Sequence, residues 1–476
     1  DVSSRSSIIR LTIIYVALGV LGQLVFGWSS YPITAWLALF LYTAFFISLI
    51  KVAPASFITL FAALGGLAFT QFISGILIES GGYLSETKET GSVTGGFLRL
   101  AIVYILFFGT SAVIIETYVE QWRKKGQISR FVKNEGIHLF KPAIWGLNAF
   151  ILIGLAYVLR VGLVHGFPLL TGTDRFLFSR ELGDPIYISL MGNSAVAMAY
   201  IGAMIALSNK PKFYYFLAAY ILIVSALYGE KFTGYMANIP LIVFPIICRT
   251  AWGKKGLPLR KIGMLGATIA CITMPLIFII YGGLSDSSKS FEKMADRMTL
   301  QGQLWFLADR EVGSDLFRFE KNPLYGDWAM TWATEPTPKT ARNKPVPYQG
   351  MAFMLLRYAP PTKAYDSLNS GVVFCLGLHA YILVVLGWIG LIVVNFMFAI
   401  IVGLIISGLL YGLIHGKLVY ILCFSKLFLF WISATTVADL FPFLNWHVFI
   451  FVALLGIYYA FDKRFLESPA PNQKIT

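Results

Sequence analysis

The 476-residue chain has little charge, because Asp, Glu, Lys and Arg make up only 13% of it whereas hydrophobic residues make up 57%. An ordinary soluble domain is about 25% charged and about 45–50% apolar, so a soluble globular protein is excluded. Apolar runs of about 18 or more residues recur along the sequence, and alternating strand patterns do not. The composition therefore predicts an all-α polytopic membrane protein rather than a barrel.

Motifs for metal, thiol or nucleotide chemistry are also lacking. No CxxC pair, GxSxG elbow, HExxH helix or GxxxxGK[ST] loop occurs. The four scattered cysteines indicate neither a disulfide framework nor a zinc site: Cys248, Cys271, Cys375 and Cys423. The turn GWSSYP at 27–32 carries no carboxylate that could hold a divalent ion beside a lipid phosphosugar. We expect metal-independent chemistry without a cofactor.

The apolar runs predict about twelve transmembrane helices. Residues 8–28 are expected to be a retained first helix, because no small-residue cleavage pattern follows them. The predicted spans are 8–27, 32–50, 56–78, 97–118, 142–164, 186–207, 213–228, 234–249, 262–282, 380–412, 418–436 and 446–461.

The positions of Lys and Arg predict the orientation of these helices. The loops 119–141 and 249–261 are strongly basic, whereas the opposing loops at 79–96, 165–185, 229–233 and 437–445 carry few Lys or Arg. Basic residues accumulate in cytoplasmic loops. The net charge of +14 is therefore interpreted as topology and not as affinity for nucleic acid. An even number of spans places both termini in the cytoplasm.

One polar segment divides the chain into three parts. Residues 283–375 are rich in charge and proline and follow the ninth predicted span. Long loops of this kind are often functional, and the aromatic content of this one predicts an ordered external cap. The expected organisation is nine helices in 1–282, a large periplasmic loop in 283–375 and three helices in 376–476.

Four groups of polar side chains lie on the predicted external side, where ionisable groups at the mouth of a bundle are functional candidates. Their members are His165, Asp174, Arg175, Arg180 and Glu181 after the fifth span; Glu230 and Lys231 in the turn LYGEKFTGY; Arg297, Gln301, Gln303, Trp305 and Arg310 in the large loop; and His379 with Tyr381 at the start of the tenth span.

Each group also has a structural interpretation. Arg175 and Arg180 can pair with neighbouring carboxylates on a solvated loop, and Lys231 can pair with Glu230 or extend to the membrane interface. His379 can be an interfacial histidine that bonds a backbone carbonyl. Arg297 can belong to one polar helix face with Asp296, Gln301 and Gln303. Aromatic residues can form the core of the cap instead of stacking on sugars: Trp305, Tyr325, Trp328, Trp332 and Tyr348.

Taken together, the groups favour a particular chemistry. Several external cations accompany a histidine, which titrates near neutrality. Cations stabilise charge that develops on a leaving phosphate, and a neutral histidine accepts a proton. The combination predicts chemistry with an anionic phosphate leaving group and a proton acceptor, and it favours neither proteolysis nor redox chemistry.

Four motifs resemble, in order, those of the bacterial O-antigen polymerase and O-antigen ligase superfamily of GT-C-type membrane glycosyltransferases. LYGEKFTGY resembles the family's basic turn after a span, with Lys231 in the basic position. DRMTLQGQLW resembles its Arg-then-Trp segment, and KNPLYGDW its turn inside the large loop. HAYILVVLGWIG resembles its His-led helix, with Gly387 and Gly390 at the spacing of the family's glycines.

The resemblance implies a function at the periplasmic face of the bacterial inner membrane. The protein would bind two undecaprenyl-diphosphate-linked glycans and transfer the growing chain from one onto the other, with inversion at the donor sugar. His379 would act as the base or orient the acceptor, and Lys231 and Arg297 would neutralise the departing diphosphate. Expected substrate contacts are Arg175, Arg180, Glu230, Gln301, Gln303, Trp305, Arg310 and Tyr381. A chain-length regulator is a further candidate partner.

Two alternatives remain open at this stage. An O-antigen ligase would move finished glycan from the same carrier onto lipid A core, but Ala380 stands where ligases commonly have Asn, and Lys231 replaces the commoner Arg. Both departures favour a polymerase. A flippase of lipid-linked sugars would need charges through the helices, and mid-span charge is sparse, with Lys426 the clearest case.

Overall fold

Helices make up nearly all of the described chain. The computed structural model describes residues 4–60, 64–133, 141–173, 175–208, 211–229, 232–253, 287–320, 350–364, 376–438 and 446–467. The helices are α1 Ser4–Phe26, α2 Ile33–Val52, α3 Pro54–Leu60, α4 Gly66–Glu79, α5 Gly96–Lys124, α6 Gln127–Lys133, α7 Lys141–His165, α8 Pro168–Thr171, α9 Arg175–Leu182, α10 Pro185–Gly192, α11 Ser194–Leu207, α12 Pro211–Leu227, α13 Phe232–Gly253, α14 Ser287–Val312, α15 Gly350–Tyr358, α16 Leu378–His415, α17 Leu418–Val437 and α18 Trp446–Glu467. A two-stranded antiparallel hairpin, β1 Tyr83–Leu84 with β2 Glu89–Thr90, connects α4 to α5.

The lengths and apolarity of these helices confirm an all-α membrane protein. Among the described residues, six helices are long and apolar enough to cross a membrane, and α10 with α11 makes a seventh if the pair, bent by 43°, is one span. Helices lie at every predicted span except 262–282, which falls outside the described residues. The span 56–78 corresponds to two helices, α3 and α4. The number of about twelve crossings stays a prediction.

Small residues let the central helices approach closely. Helix α5 packs against α1, α2 and α16. Gly109 of α5 faces Thr12 of α1, and Gly403 of α16 faces Ile114 of α5, so a methyl group at either glycine would lie under 3.0 Å from those side chains. Lipid tails are as apolar as the helices, so the hydrophobic effect does not drive helices together within a membrane. Close van der Waals packing of this kind holds membrane helices together.

Helix α14 belongs to the bundle although its sequence lies in the predicted cap. It packs on α4 and α16, and residues 303–309 are each at most 1% exposed. Gly302 allows this approach, because a side chain there would contact Phe97 and the Ser74 hydroxyl at 2.9 Å. The hydroxyl of Ser74 also accepts the Gly302 N–H, at 2.8 Å. Part of the segment 283–375 therefore fills the core at one end of the bundle, which we call the cap end.

Helix α16 is broken at Gly387, whose backbone (φ 71°, ψ −172°) is not helical. The extended segment 315–320, which follows α14, bonds the groups that the break frees. Val385 and Leu386 carbonyls accept the N–H groups of Glu320 and Arg318 at 3.0 and 3.3 Å. The N–H groups after the break, at 388 and 389, donate to carbonyls at 315 and 316 at 3.3 and 3.0 Å. Non-helical backbone is tolerated inside a membrane protein where protein satisfies it in this way.

The break also reverses the chain. Nε2 of His379 lies 3.2 Å from Oδ1 of Asn395, although a straight helix would separate residues 16 positions apart by about 24 Å, at about 1.5 Å per residue. Leu378–Leu386 therefore folds back against the rest of α16, and we call it the re-entrant helix. The prediction of one continuous span over 380–412 is wrong in this respect, because hydropathy alone does not report the direction of the chain.

We expect Gly387→Ala to destabilise the protein. The backbone of Gly387 lies in a region that is essentially restricted to glycine and costs other residues about 1–3 kcal/mol. A Cβ would also lie 2.9 Å from the Arg318 N and 3.0 Å from the Leu316 O. The apparent melting temperature in detergent should fall for this variant. Gly456→Ala in α18 is the control, since nothing lies within 4 Å of its Cβ position. Equal melting temperatures for both variants would contradict the role of the break.

Candidate functional site

Four buried polar side chains contact one another around the inner end of the re-entrant helix, and a fifth lies on α14. Gln71, Tyr104, Gln303, His379 and Asn395 are each 5% exposed or less. Tyr104 lies eight residues from the start of α5 and Asn395 eight residues from Gly387, so both are about 12 Å from the cap end at about 1.5 Å per residue. Polar and ionisable groups at such depth are expensive and mark functional sites by default. We call this group the re-entrant site.

Hydrogen bonds fix the orientation of His379. The amide nitrogen of Asn395 donates to the Val103 carbonyl at 3.0 Å, which leaves Oδ1 of Asn395 to accept from Nε2 of the histidine. A neutral imidazole that donates from Nε2 keeps its lone pair on Nδ1. Tyr104 contacts the ring edge-on, with 4.7 Å between ring centroids. The ring is therefore held in one orientation, with Nδ1 as the basic atom.

Asn395 was missed in the sequence. It is the one strongly polar residue in the apolar stretch LIVVNFMF of α16, and this isolated polarity was the only available signal. Its contact with His379 depends on the break at Gly387, because the two residues are far apart on a continuous helix. An isolated polar residue within a membrane helix is a candidate functional residue.

Gln71 and Gln303 complete the site in different ways. The amide of Gln71 accepts from the Tyr104 hydroxyl at 2.5 Å and donates to the Leu376 carbonyl at 3.0 Å. Gln303 is 1% exposed, and neither its amide oxygen nor its amide nitrogen has a hydrogen-bond partner among the described residues. The next residue, Leu304, contacts the chain at Gly377, just before the re-entrant helix. Buried amides without partners are rare and need an explanation.

Trp305 and Tyr381 lie in the core around the site. The indole N–H of Trp305 donates to the Gly96 carbonyl at 2.7 Å, and its ring meets Trp388 edge-on at 6.0 Å. Tyr381 is 1% exposed and meets Phe353 edge-on at 6.0 Å. Both side chains position α14 and the re-entrant helix, as the structural interpretation of the cap aromatics predicts for Trp305.

An ion pair at the cap end was also missed. Nε and an Nη of Arg99 donate to the two oxygens of Asp309 at 2.8 and 2.5 Å, and the guanidinium lies 5.8 Å from the centre of the Trp388 ring. Burial raises the pKa of the Asp309 carboxyl, although its bonds to Arg99 oppose that change. The pair joins α5 to α14. Arg310, predicted to bind substrate, lies 2.9 Å from Glu89 of the hairpin, and its role stays a prediction.

A second ionic group lies beside the break in α16. The carboxylate of Glu311 accepts from Arg357 at 2.5 and 2.8 Å, from Arg318 at 2.6 Å and from the Tyr358 hydroxyl at 2.6 Å. Burial alone would raise the pKa of Glu311, but these hydrogen bonds and the two positive charges hold it below its usual value of 4.5. The group ties α15 to the segment that covers Gly387.

The structure places one predicted residue, Arg175, beside the turn that follows α12. Cβ of Arg175, at the start of α9, lies 3.7 Å from the position that a Cβ on Gly229 would take, and Gly229 directly precedes Glu230 and Lys231. Tyr228 anchors this turn, because its hydroxyl donates to the Val158 carbonyl at 2.6 Å. We call Arg175 and the turn at Gly229 the Arg175 corner.

Other predicted residues are placed only in part. Glu230 and Lys231 lie outside the described residues, as do the cap aromatics Tyr325, Trp328, Trp332 and Tyr348. Arg297 lies on α14 and Arg180 on α9, but their side chains are outside the described part. Gln301 is half-buried on α14. Within the described ranges, no cluster of three or more His, Cys, Asp or Glu could hold a metal ion.

Lowering the pH should reveal how much Glu311 contributes to the stability of the folded protein. Because its folded pKa is lowered, the stability that it contributes is present above about pH 4.5 and is lost as the pH falls through the folded pKa. We expect Glu311→Gln to lower the melting temperature at pH 7 and to reduce the loss of stability below about pH 4.5. Glu181→Gln, at an exposed position of α9, should follow the wild type. Parallel pH profiles for wild type and Glu311→Gln would refute the assignment.

The comparisons with known proteins give a family without an assigned function. Residues 345–452 match the model of DUF6418, described as a family of unknown function. This stretch is less than half of the chain and contains the re-entrant helix, His379, Asn395 and α17. No curated protein and no solved structure matches the chain.

Proposed function

We propose that the protein is a membrane glycosyltransferase that polymerises undecaprenyl-diphosphate-linked oligosaccharide repeat units at the periplasmic face of the bacterial inner membrane. The observation that supports it best is the re-entrant site. Its histidine has an oriented ring. Helix α14, which contacts the chain at Gly377, two residues before His379, carries the buried amide of Gln303, which has no partner among the described residues. Amide groups of this kind suit sugar hydroxyls, which both donate and accept hydrogen bonds.

In the proposed reaction, an acceptor hydroxyl attacks the anomeric carbon of the donor glycan and the carbon–oxygen bond to the diphosphate breaks. Nδ1 of His379 accepts the hydroxyl proton, or orients the hydroxyl while the proton leaves by another route. Gln303 bonds the acceptor sugar. Such base catalysis typically contributes about 10²–10⁴-fold. Direct displacement inverts the anomeric centre.

Negative charge develops on the leaving diphosphate in the transition state. Positively charged side chains beside it therefore stabilise the transition state. Lys231 and Arg297 are the proposed groups, and Arg175 supports them from the Arg175 corner. Arg binds phosphate oxygens in a bidentate manner, whereas Lys acts as a point charge. The donor's diphosphate would thus be held by groups on α9, on α14 and in the sequence after Gly229, and the acceptor sugar by Gln303 of α14.

The O-antigen ligase remains an alternative with the same donor. Deletion of the gene separates the two, since loss of a polymerase leaves single repeats on lipid A core and loss of a ligase leaves none. We favour the polymerase because Ala380, which is 1% exposed in the first turn of the re-entrant helix, replaces the Asn that ligases commonly have there.

A flippase of lipid-linked sugars gains one observation from the structure. Broken helices near mid-membrane are typical of transporters, and α10–α11 bends at Asn193, whose Oδ1 accepts from Lys426 of α17 at 2.6 Å. Transport of a lipid-linked sugar by the purified protein in vesicles, without formation of longer glycans, would select this reading.

His379 provides the decisive test of the polymerase. We expect His379→Gln to fold, because an amide nitrogen can replace Nε2 as the donor to Asn395, but to yield single repeats only, because the amide is not a base. His379→Ala, Arg297→Ala and Lys231→Ala should give the same loss in a gel assay of polysaccharide length in cells. His415→Ala, in the last turn of the same helix, is the control and should retain the ladder. A normal ladder from membrane-inserted His379→Gln would sink the assignment.

The polymerase is expected to work without a divalent metal ion. The proposed cations, rather than a bound metal, neutralise the diphosphate. Purified protein should therefore retain its rate of chain elongation in EDTA. Loss of activity that magnesium or manganese restores would overturn this expectation.

A further inference from the structure

The segment 315–320 at the cap end presents two phenylalanine rings to its surroundings. Phe317 and Phe319 are 77% and 67% exposed. Arg318 and Glu320, which alternate with them, are half-buried and form an ion pair at 3.2 Å. Successive side chains of an extended segment point to opposite sides, so both rings lie on the outer side of the segment. Apolar rings of this size are more stable against lipid than in water.

The exposed face of α16 continues into these rings. After the break, exposed apolar side chains recur every three or four residues, which places them on one face of the helix: Ile389, Ile392, Val393, Phe396 and Met397. Helix α16 is long and apolar enough to cross a membrane, so this face contacts lipid. Ile389, the member nearest the break, donates its N–H to the Leu316 carbonyl at 3.0 Å. The two rings therefore extend the lipid-facing surface beyond the helix.

The lengths of two helices place the break at the boundary between lipid and water. The helix from Trp388 to His415 is about 42 Å long at about 1.5 Å per residue. Helix α5, with 29 residues, is about 43 Å long and begins at the same level, because Arg99 near its start lies against Trp388. A bilayer is about 40–45 Å thick with its headgroups, and about 30 Å of this is hydrocarbon. The break therefore lies in a headgroup layer, where water can bond backbone groups that the protein leaves free.

Aromatic residues of another turn mark the same level. Trp28 and Tyr31, between α1 and α2, are both exposed. Their turn lies beside the start of α5, because the Gly27 carbonyl is 3.6 Å from the position of a Cβ on Gly95. Trp and Tyr are enriched at the interfaces between membrane and water. This turn and the segment 315–320 thus lie at one interfacial level.

We propose that the segment 315–320 is a membrane anchor whose Phe317 and Phe319 rings insert among the lipids of the leaflet at the cap end. The backbone stays in the headgroup layer, bonded to the break in α16, and the rings bury their apolar surface at the boundary with the acyl chains. The anchor fixes the depth of the break in the bilayer. The re-entrant site then lies about 12 Å deeper, at the level of the hydrocarbon. This role is independent of the proposed glycosyltransferase function.

Photocrosslinking of the full-length protein tests the anchor. The amino acid p-benzoylphenylalanine replaces Phe317 or, in a second variant, Phe319, so that an aromatic ring remains at each position. The protein is reconstituted in vesicles of phosphatidylethanolamine and phosphatidylglycerol and irradiated, and its adducts are identified by mass spectrometry. We expect phospholipid adducts at both positions, with yields within about threefold of that at Met397 on the lipid-facing side of α16.

Lys88 provides the matched control. It is exposed in the charged turn of the hairpin, and the same photoreactive residue there should give at least about tenfold less lipid adduct than at Phe317. Equal yields at Lys88 and Phe317 would overturn the proposal. Crosslinks from Phe317 and Phe319 to residues 321–349 would do so as well, because the chain itself would then cover the rings. Crosslinked dimers in place of lipid adducts would assign the surface to a second copy of the chain and also refute the anchor.

Discussion

The backbone hydrogen bonds between segment 315–320 and the break at Gly387 determine the arrangement at the cap end. They satisfy carbonyl and N–H groups that would otherwise be left unpaired in the bundle. Since the segment continues directly from α14, the same bonds hold that helix against α16. The reversal at Gly387 then places His379 beside Asn395. Without the break, neither the re-entrant helix nor its buried polar site could form.

The sequence predicts the helices well because hydrophobic runs in a membrane protein mark the segments that are compatible with the hydrocarbon of the bilayer. It does not predict where a hydrophobic run is broken into two helices. The stretch LHAYILVVLGWIG is apolar throughout, and a hydropathy window takes it as the start of one span. Only Gly387, as a residue that tolerates positive φ, indicated an unusual backbone. The contact to Asn395, on which the orientation of His379 depends, arises from tertiary structure alone.

Charged residues account for a second difference between the predicted and the observed structure, the position of α14. Helix α14 carries many polar residues, and its sequence predicts a solvated cap. Its buried part is nevertheless nearly apolar between Leu304 and Ala308, and Asp309 is compensated by Arg99 from another helix. The sequence alone does not show that Asp309 is paired with a residue of another helix, so the segment containing it is predicted to be solvated. The candidate site could therefore be located approximately from its motifs, while its ion pairs and its depth could not.

The same pairing limits which cations can serve a diphosphate. Arg99 is bonded to Asp309, Arg310 to Glu89, and Arg318 with Arg357 to Glu311. Asp309 is only 1% exposed, so removal of Arg99, or its recruitment to a substrate, would leave a buried charge uncompensated. The arginines near the break are thus better suited to hold α14 and α15 in place. On the proposed function, Lys231, Arg297 and Arg175 serve the diphosphate, and Gln303 and His379 serve the acceptor sugar.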